Sequence, residues 1–141
     1  MKKGWNIMRL GDFCEFDITQ GMHRGLPYVG LENIESHTAR FVGSPELLTV
    51  KSSTFKFTPE HILYGRLRPY LNKLLAPNFQ GHCSTEHFPI KPSSKIFRDY
   101  LLSWFLADET VERIDAIYRQ KLAALEELKK ALLHQAFSGE L

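Results

Sequence analysis

With 141 residues, 43% of them hydrophobic and ten of them Phe, the chain has room for one packed domain, or a domain with an appendage, and is too apolar for global disorder. It has no apolar run near the ~18–20 residues that cross a bilayer, too few cysteines for a disulfide scaffold, and no apolar stretch behind the lysines of its opening MKKGWNIMRLGDF to make a signal peptide. Its net charge of +2 is too small to exclude or demand an anionic partner, so a soluble cytoplasmic protein with Cys14 and Cys83 as thiols is expected, and the distribution of charge has to say more.

Residues 1–60 balance seven Lys/Arg against seven Asp/Glu. Gly or Pro interrupts the chain every several residues up to about Lys95, and the short apolar runs between the breaks read as strands. YVGLENI (28–34) and ARFVG (39–43) are strands or strand ends, SPELLTV (44–50) is a short helical turn, and TFKF (54–57) is another strand. HILYGRL (61–67), KLLAP (73–77) and HFPIKP (87–92) continue the series. TQGMHRGLP, VGSPE, RPYLN and NFQGH are turns, where Gly permits positive φ and Pro presets its own. The charge is uneven here: residues 61–98 carry six Lys/Arg (Arg66, Arg68, Lys73, Lys91, Lys95, Arg98) against Glu86 alone.

After Pro92 the pattern changes, with neither Gly nor Pro from Ser93 to Ser138. FRDYLLSWFLAD is apolar all round, as expected of a helix packed on a sheet. In TVERIDAIYRQKLAALEELKKALLHQAFSGEL, Val111, Tyr118, Leu125 and Leu132 fall seven apart, with Ile114 and Leu128 at the position three later. Leu122 and Ala136 widen the stripe, while Lys121 and Gln135 interrupt it. Alanines and charged residues fill the rest, and Gly139 is a natural stop. A helix of ~28 residues is ~42 Å long, more than a domain of this size covers. The seam is therefore expected to meet another long helix from a second chain, although a helix laid across its own domain has the same pattern. The expectation is a mixed α/β fold: a compact strand-rich domain over 1–109 with a packed helix, then a long helix over 110–141.

No catalytic residue and no metal ligand is expected. His82, Cys83 and His87 lie close together, but no second Cys/His pair follows at zinc-site spacing. Cys83 beside His87 or His61 is not shown to be a nucleophile by sequence proximity and reads as a small buried residue. GMHRG lacks the spacing of a phosphate-binding loop. What remains is binding. TQGMHRG offers Gln20, His23 and Arg24 on a loop. In YGRLRPYLNK, alternation puts Arg66 and Arg68 on one face of an extended segment with Leu67 on the other, and Tyr70, Asn72 and Lys73 follow in the turn after Pro69. GHCSTEH offers His82, Ser84, Thr85 and His87 on another turn. Arg and Lys hold phosphates, Arg forks onto guanine, and Asn or Gln reads adenine, so the inventory suits a loop-based reader of duplex DNA. Each residue also has an internal reading: Arg66 paired with Glu86, or Tyr70 and His82 in the core.

In this order, WNIMRLGDFCEF, YVGLENIES, ILYGRLRPYLNKLLAP, GHCSTEHFPIKP and DYLLSWFLAD resemble one target-recognition domain of a type I restriction–modification DNA specificity subunit. QKLAALEELKKALLHQAFSGEL is similar to the long helix that follows such a domain. The resemblance implies a non-enzymatic subunit that binds no cofactor itself. Family members hold two recognition domains apart on an antiparallel pair of long helices, and each domain reads half of a split DNA sequence. Their partners are double-stranded DNA, the methyltransferase subunit, which uses S-adenosylmethionine to modify adenine, and the restriction subunit of the full complex. This chain carries one recognition domain and one helix. The resemblance therefore implies a half subunit that forms a homodimer as an antiparallel coiled coil through Ile114, Tyr118, Leu122, Leu125, Leu128 and Leu132. The family also places a strand and a Pro-rich connector between the two helices, where ADETVERIDAIYRQK joins them directly here. That departure suits an alternative: a truncated interaction adaptor that binds the methyltransferase or an intact specificity subunit through its helix without reading DNA.

Overall fold

A computed structural model of the protein describes residues 9–48 and 50–139; the opening MKKGWNIM, and with it most of the stretch read for a signal peptide, lies outside the described residues. Among the described residues nine strands precede two α-helices: β1 (Cys14–Phe16), β2 (Gln20–Gly21), β3 (Pro27–Val29), β4 (Glu46–Leu47), β5 (Thr54–Phe57), β6 (Ile62–Gly65), β7 (Leu74–Leu75), β8 (Gly81–Cys83), β9 (His87–Pro92), α1 (Arg98–Leu106) and α2 (Asp108–Ser138). The mixed α/β class is as expected. The strands form a four-stranded sheet in the order β1-β9-β6-β7 and a five-stranded sheet in the order β2-β5-β8-β3-β4. All pairings are antiparallel except that of β3 with β8.

Alternation along β6 and β7 builds the layers. Ile62 and Leu74 point one way, into a cluster with Cys14, Ile90, Leu101 and Phe105 under α1. Leu63 and Leu75 point the other way, into a cluster with Val29, Ile34, Phe55, Phe57 and Cys83 from the second sheet. The four-stranded sheet is thus the middle layer, with helix on one face and sheet on the other, and its strands need apolar residues on both faces. This explains the unbroken ILY and LL runs.

The local expectations meet varied outcomes. TFKF and HFPIKP are β5 and β9 in full. ARFVG contributes only an isolated bridge, Phe41 to Ile34. SPELLTV holds β4 instead of a helical turn, because Glu46 and Leu47 pair with Tyr28 and Pro27. The β6 strand ends at Gly65, so Arg66 and Arg68 do not alternate along a strand. Arg68 (φ 51°) and Asn72 (φ 47°) take the left-handed conformation and bracket a 3₁₀ turn over Pro69–Leu71.

Only Ala107, with extended backbone (ψ 135°), separates α1 from α2. Asp108 and Glu109 occupy the first turn of α2, where carboxylates favour the positive end of the helix dipole. Thr110 is buried, and Ile114 packs against the cluster under α1. From Arg119 to Gly139 every residue is exposed. The helix has 31 residues, about 46 Å at 1.5 Å per residue, and stops at Gly139 with φ 75°, as its sequence predicts. The helix laid across its own domain is excluded for this outer part, which projects.

Candidate nucleic-acid interface

Tertiary packing takes apart much of the positive strip. Lys73 donates from Nζ to the Leu31 carbonyl at 2.8 Å. Arg98 binds the Pro59 and Pro77 carbonyls through Nη1, clamping the start of α1 to two loops. Lys91 pairs with Glu60 at 3.2 Å. The three histidines of the strip are buried: His61 is 4% exposed, and His82 and His87 are 0% exposed. His82 belongs to β8 and not to a turn, and Asn72 is 5% exposed, with its carbonyl accepting from the His37 N–H at 3.0 Å. His82 and Asn72 therefore lie too deep to meet a groove, and Lys73 meets it only by giving up its carbonyl. A cation, amide or imidazole is read as surface from sequence because solvation is its default; here segments far away in the chain supply partners.

Cys83 is also out of reach as a nucleophile. It sits inside the five-stranded sheet, and burial pushes its thiol pKa up to about 12. Cys14 donates its thiol to the Leu10 carbonyl at 3.3 Å in the other core cluster. Among the described residues no three His, Cys, Asp or Glu side chains gather into a metal site, and no helix is long and apolar enough to cross a membrane.

The remaining candidates fall into three groups. Arg66 follows β6, donates from Nε to the Thr85 carbonyl at 2.9 Å and lays its guanidinium over the Phe88 ring at 5.5 Å; its backbone N–H, and not its side chain, reaches Glu86. Ser84 Oγ accepts from the Glu86 N–H at 3.0 Å and shapes the same turn. Arg68 and Tyr70 stay exposed on the 3₁₀ turn, which lies against α2. Gln20 and His23 border an open cavity of about 390 Å³ together with Asp17, Thr19, Lys56, Thr58 and His61. In its wall, His61 Nδ1 accepts from the Thr58 N–H at 3.0 Å, so the neutral ring presents Nε2–H to the Asp17 carboxylate at 3.1 Å. Arg24 is exposed on the loop after β2.

The apolar seam of α2 divides at about Tyr118. Ile114 is used inside the domain, whereas Leu122, Leu125, Leu128, Leu132 and Leu133 are 44–62% exposed on the projecting part. Leu125, Leu128, Leu132, Leu133 and Ala136 line a shallow apolar groove that none of the described residues covers.

No protein-family profile matches the chain. The specificity subunit of the type I restriction enzyme EcoDI, from Escherichia coli, is 32% identical to it over 111 residues that take in 74% of the chain and 24% of that subunit. The chain is a relative of the type I specificity subunits. It spans about a quarter of the length of the relative it matches.

In this specificity-subunit relative, two features of the surface escaped the sequence reading. Lys56 stands between Phe55 and Phe57, which are both buried, so the two-residue period of a strand turns it outward into the cavity of Gln20 and His23. That signal was present in TFKF. The hydrogen-bonded column of His23, Thr54 and His82 behind the cavity had no local signal, since its members lie tens of residues apart.

Proposed function

We propose that the chain is a non-catalytic DNA-reading module of a type I restriction–modification system. Two copies pair antiparallel through α2, each reads one half of a symmetric split sequence, and the pair recruits the methyltransferase subunit, which supplies S-adenosylmethionine chemistry, and the restriction subunit in the full complex. The observation that carries this reading is the kinship with the EcoDI specificity subunit over most of the chain. Pairing is supported by the uncovered leucines of α2, since exposing such a stripe to water is unfavourable and a second helix relieves it. A duplex would meet Gln20, His23, Arg24, Lys56, Arg66, Arg68, Tyr70, Ser84 and Thr85.

The test is duplex binding as a function of salt. Each side chain that neutralises a phosphate contributes about 0.9 to the slope of log affinity against log salt. Arg66→Ala with Arg68→Ala is expected to flatten it, and an unchanged slope would remove those two residues from the interface. A methylation map of cells carrying the chain with its methyltransferase should show a symmetric split motif that vanishes when the chain is removed.

The adaptor alternative draws support from one observation: Lys73, Lys91 and Arg98 are engaged within the fold. Capture of the methyltransferase subunit by a chain with no affinity for duplex DNA at low salt would favour it.

A further inference from the structure

A directed chain of hydrogen bonds runs from the core to the loop after β2, and its polarity is set at the buried end. His82 is 0% exposed, with Nε2 2.8 Å from the Leu48 carbonyl oxygen. A carbonyl only accepts, so this Nε2 carries hydrogen. Burial holds the His82 pKa below the usual imidazole range, so the ring is neutral and its Nδ1 is a bare acceptor. The Thr54 hydroxyl, 2.9 Å from that Nδ1, must donate to it; the Gly21 carbonyl at 3.5 Å is the poorer acceptor. Having one hydrogen, Thr54 Oγ1 then accepts on its other side, where His23 Nδ1 lies at 3.0 Å. His23 must therefore donate from Nδ1, and in the neutral ring its hydrogen is absent from Nε2. The two imidazoles stand 5.9 Å apart, and Tyr28 closes over His82 at 5.2 Å, so the column is packed as well as bonded.

A histidine free in a loop matches either a donor or an acceptor by changing tautomer. This one has lost that freedom. It borders the open cavity with Gln20 and Lys56, and among the described residues no group bonds its Nε2. Resting on the DNA-reading proposal above, we infer that His23 presents Nε2 as an acceptor to the major groove and selects a base carrying an exocyclic amino group, adenine N6 or cytosine N4. The carbonyl oxygens of guanine and thymine would face its lone pair and be disfavoured. His23 is then a specificity-determining residue, and Thr54 and His82 are positioning residues behind it.

Two measurements on the full chain test this. Nitrogen-15 NMR at a pH of about 8, above the usual imidazole range, reads the tautomer: hydrogen on Nδ1 of His23 is expected, and hydrogen on Nε2 overturns the inference whatever DNA does. Selection from a randomised duplex pool at low salt finds the enriched positions. Because every base pair carries one adenine or cytosine, the preference is read by replacing that base with an analogue that lacks the exocyclic amino group. Weaker binding is expected at one position, and the base replaced there separates the two sources of the amino group; no loss at any position overturns the inference. His23→Ala, on the loop, and the isosteric Thr54→Val should each lose that preference by about five- to tenfold while the other positions keep theirs. Full preference retained in His23→Ala overturns the inference while leaving DNA reading intact. A wild-type chain that enriches nothing removes both.

Discussion

His87 shows what a single misplaced polar group does to this fold. Its ring is wholly buried in β9 and neither nitrogen meets a partner. Burial, with the nearby Lys73 ammonium, pushes its pKa down to about 4, against a smaller upward pull from the Ser84 carbonyl. The unfolded chain takes up this proton near pH ~6.5 and the folded chain only near 4. Stability from this group is therefore complete above the upper value and is lost as pH falls toward the lower one. Between pH ~7 and ~5 the loss is about 2 kcal/mol. Urea unfolding at those two pH values should show it, and His87→Leu should remove most of the difference; an equal acid loss in the variant would place the lability elsewhere. No local pattern in GHCSTEHFPIKP marks His87 as buried, because in the middle layer both faces of a strand are covered.

Elements carry two further expectations. In the five-stranded sheet, β8 runs between β5 and β3. A Cβ on Gly81 would strike the Pro27 carbonyl and come within 2.9 Å of Phe57 Cζ. Gly81→Ala is expected to cost about 1–3 kcal/mol, read as a lowered urea midpoint; an unchanged midpoint would mean that the sheet opens there without penalty. In α2, Leu125 and Leu128 are 62% and 55% exposed, so Leu125→Glu with Leu128→Glu should leave the domain's own stability within about 0.5 kcal/mol. The same pair of changes should convert the proposed dimer to monomers in sedimentation. Dimers that persist would show that the groove is not the pairing surface. The heptad spacing in the sequence already marked this seam, since exposed helix faces keep a period that no distant segment overrides. The same spacing did not show that Ile114 serves the domain core while Leu122 onward does not.

At the scale of the molecule, the fold redistributes charge. The strip with six cations against one acid loses Lys73 and Arg98 to backbone carbonyls of the fold, and Lys91 pairs with Glu60 at the surface, while Arg24 and Lys56 remain exposed on and beside the β2–β5 edge. Arg24→Ala with Lys56→Ala is expected to lower the salt slope of duplex binding by about two, one for each phosphate released. A slope left unchanged would take this edge out of the interface. The order of amino acids alone marks most of the chain breaks, the strands β3, β5, β6, β7 and β9, the two helices with the stop at Gly139, and the kinship that the EcoDI comparison bears out. Those properties are written within a few residues, in φ restrictions, helical period and ordered short motifs. Which polar groups reach solvent is settled by packing between distant segments. The partner that consumes a lysine or fixes a histidine tautomer comes from elsewhere in the chain: Leu31 for Lys73 is 42 residues away, and Thr54 for His23 is 31 away.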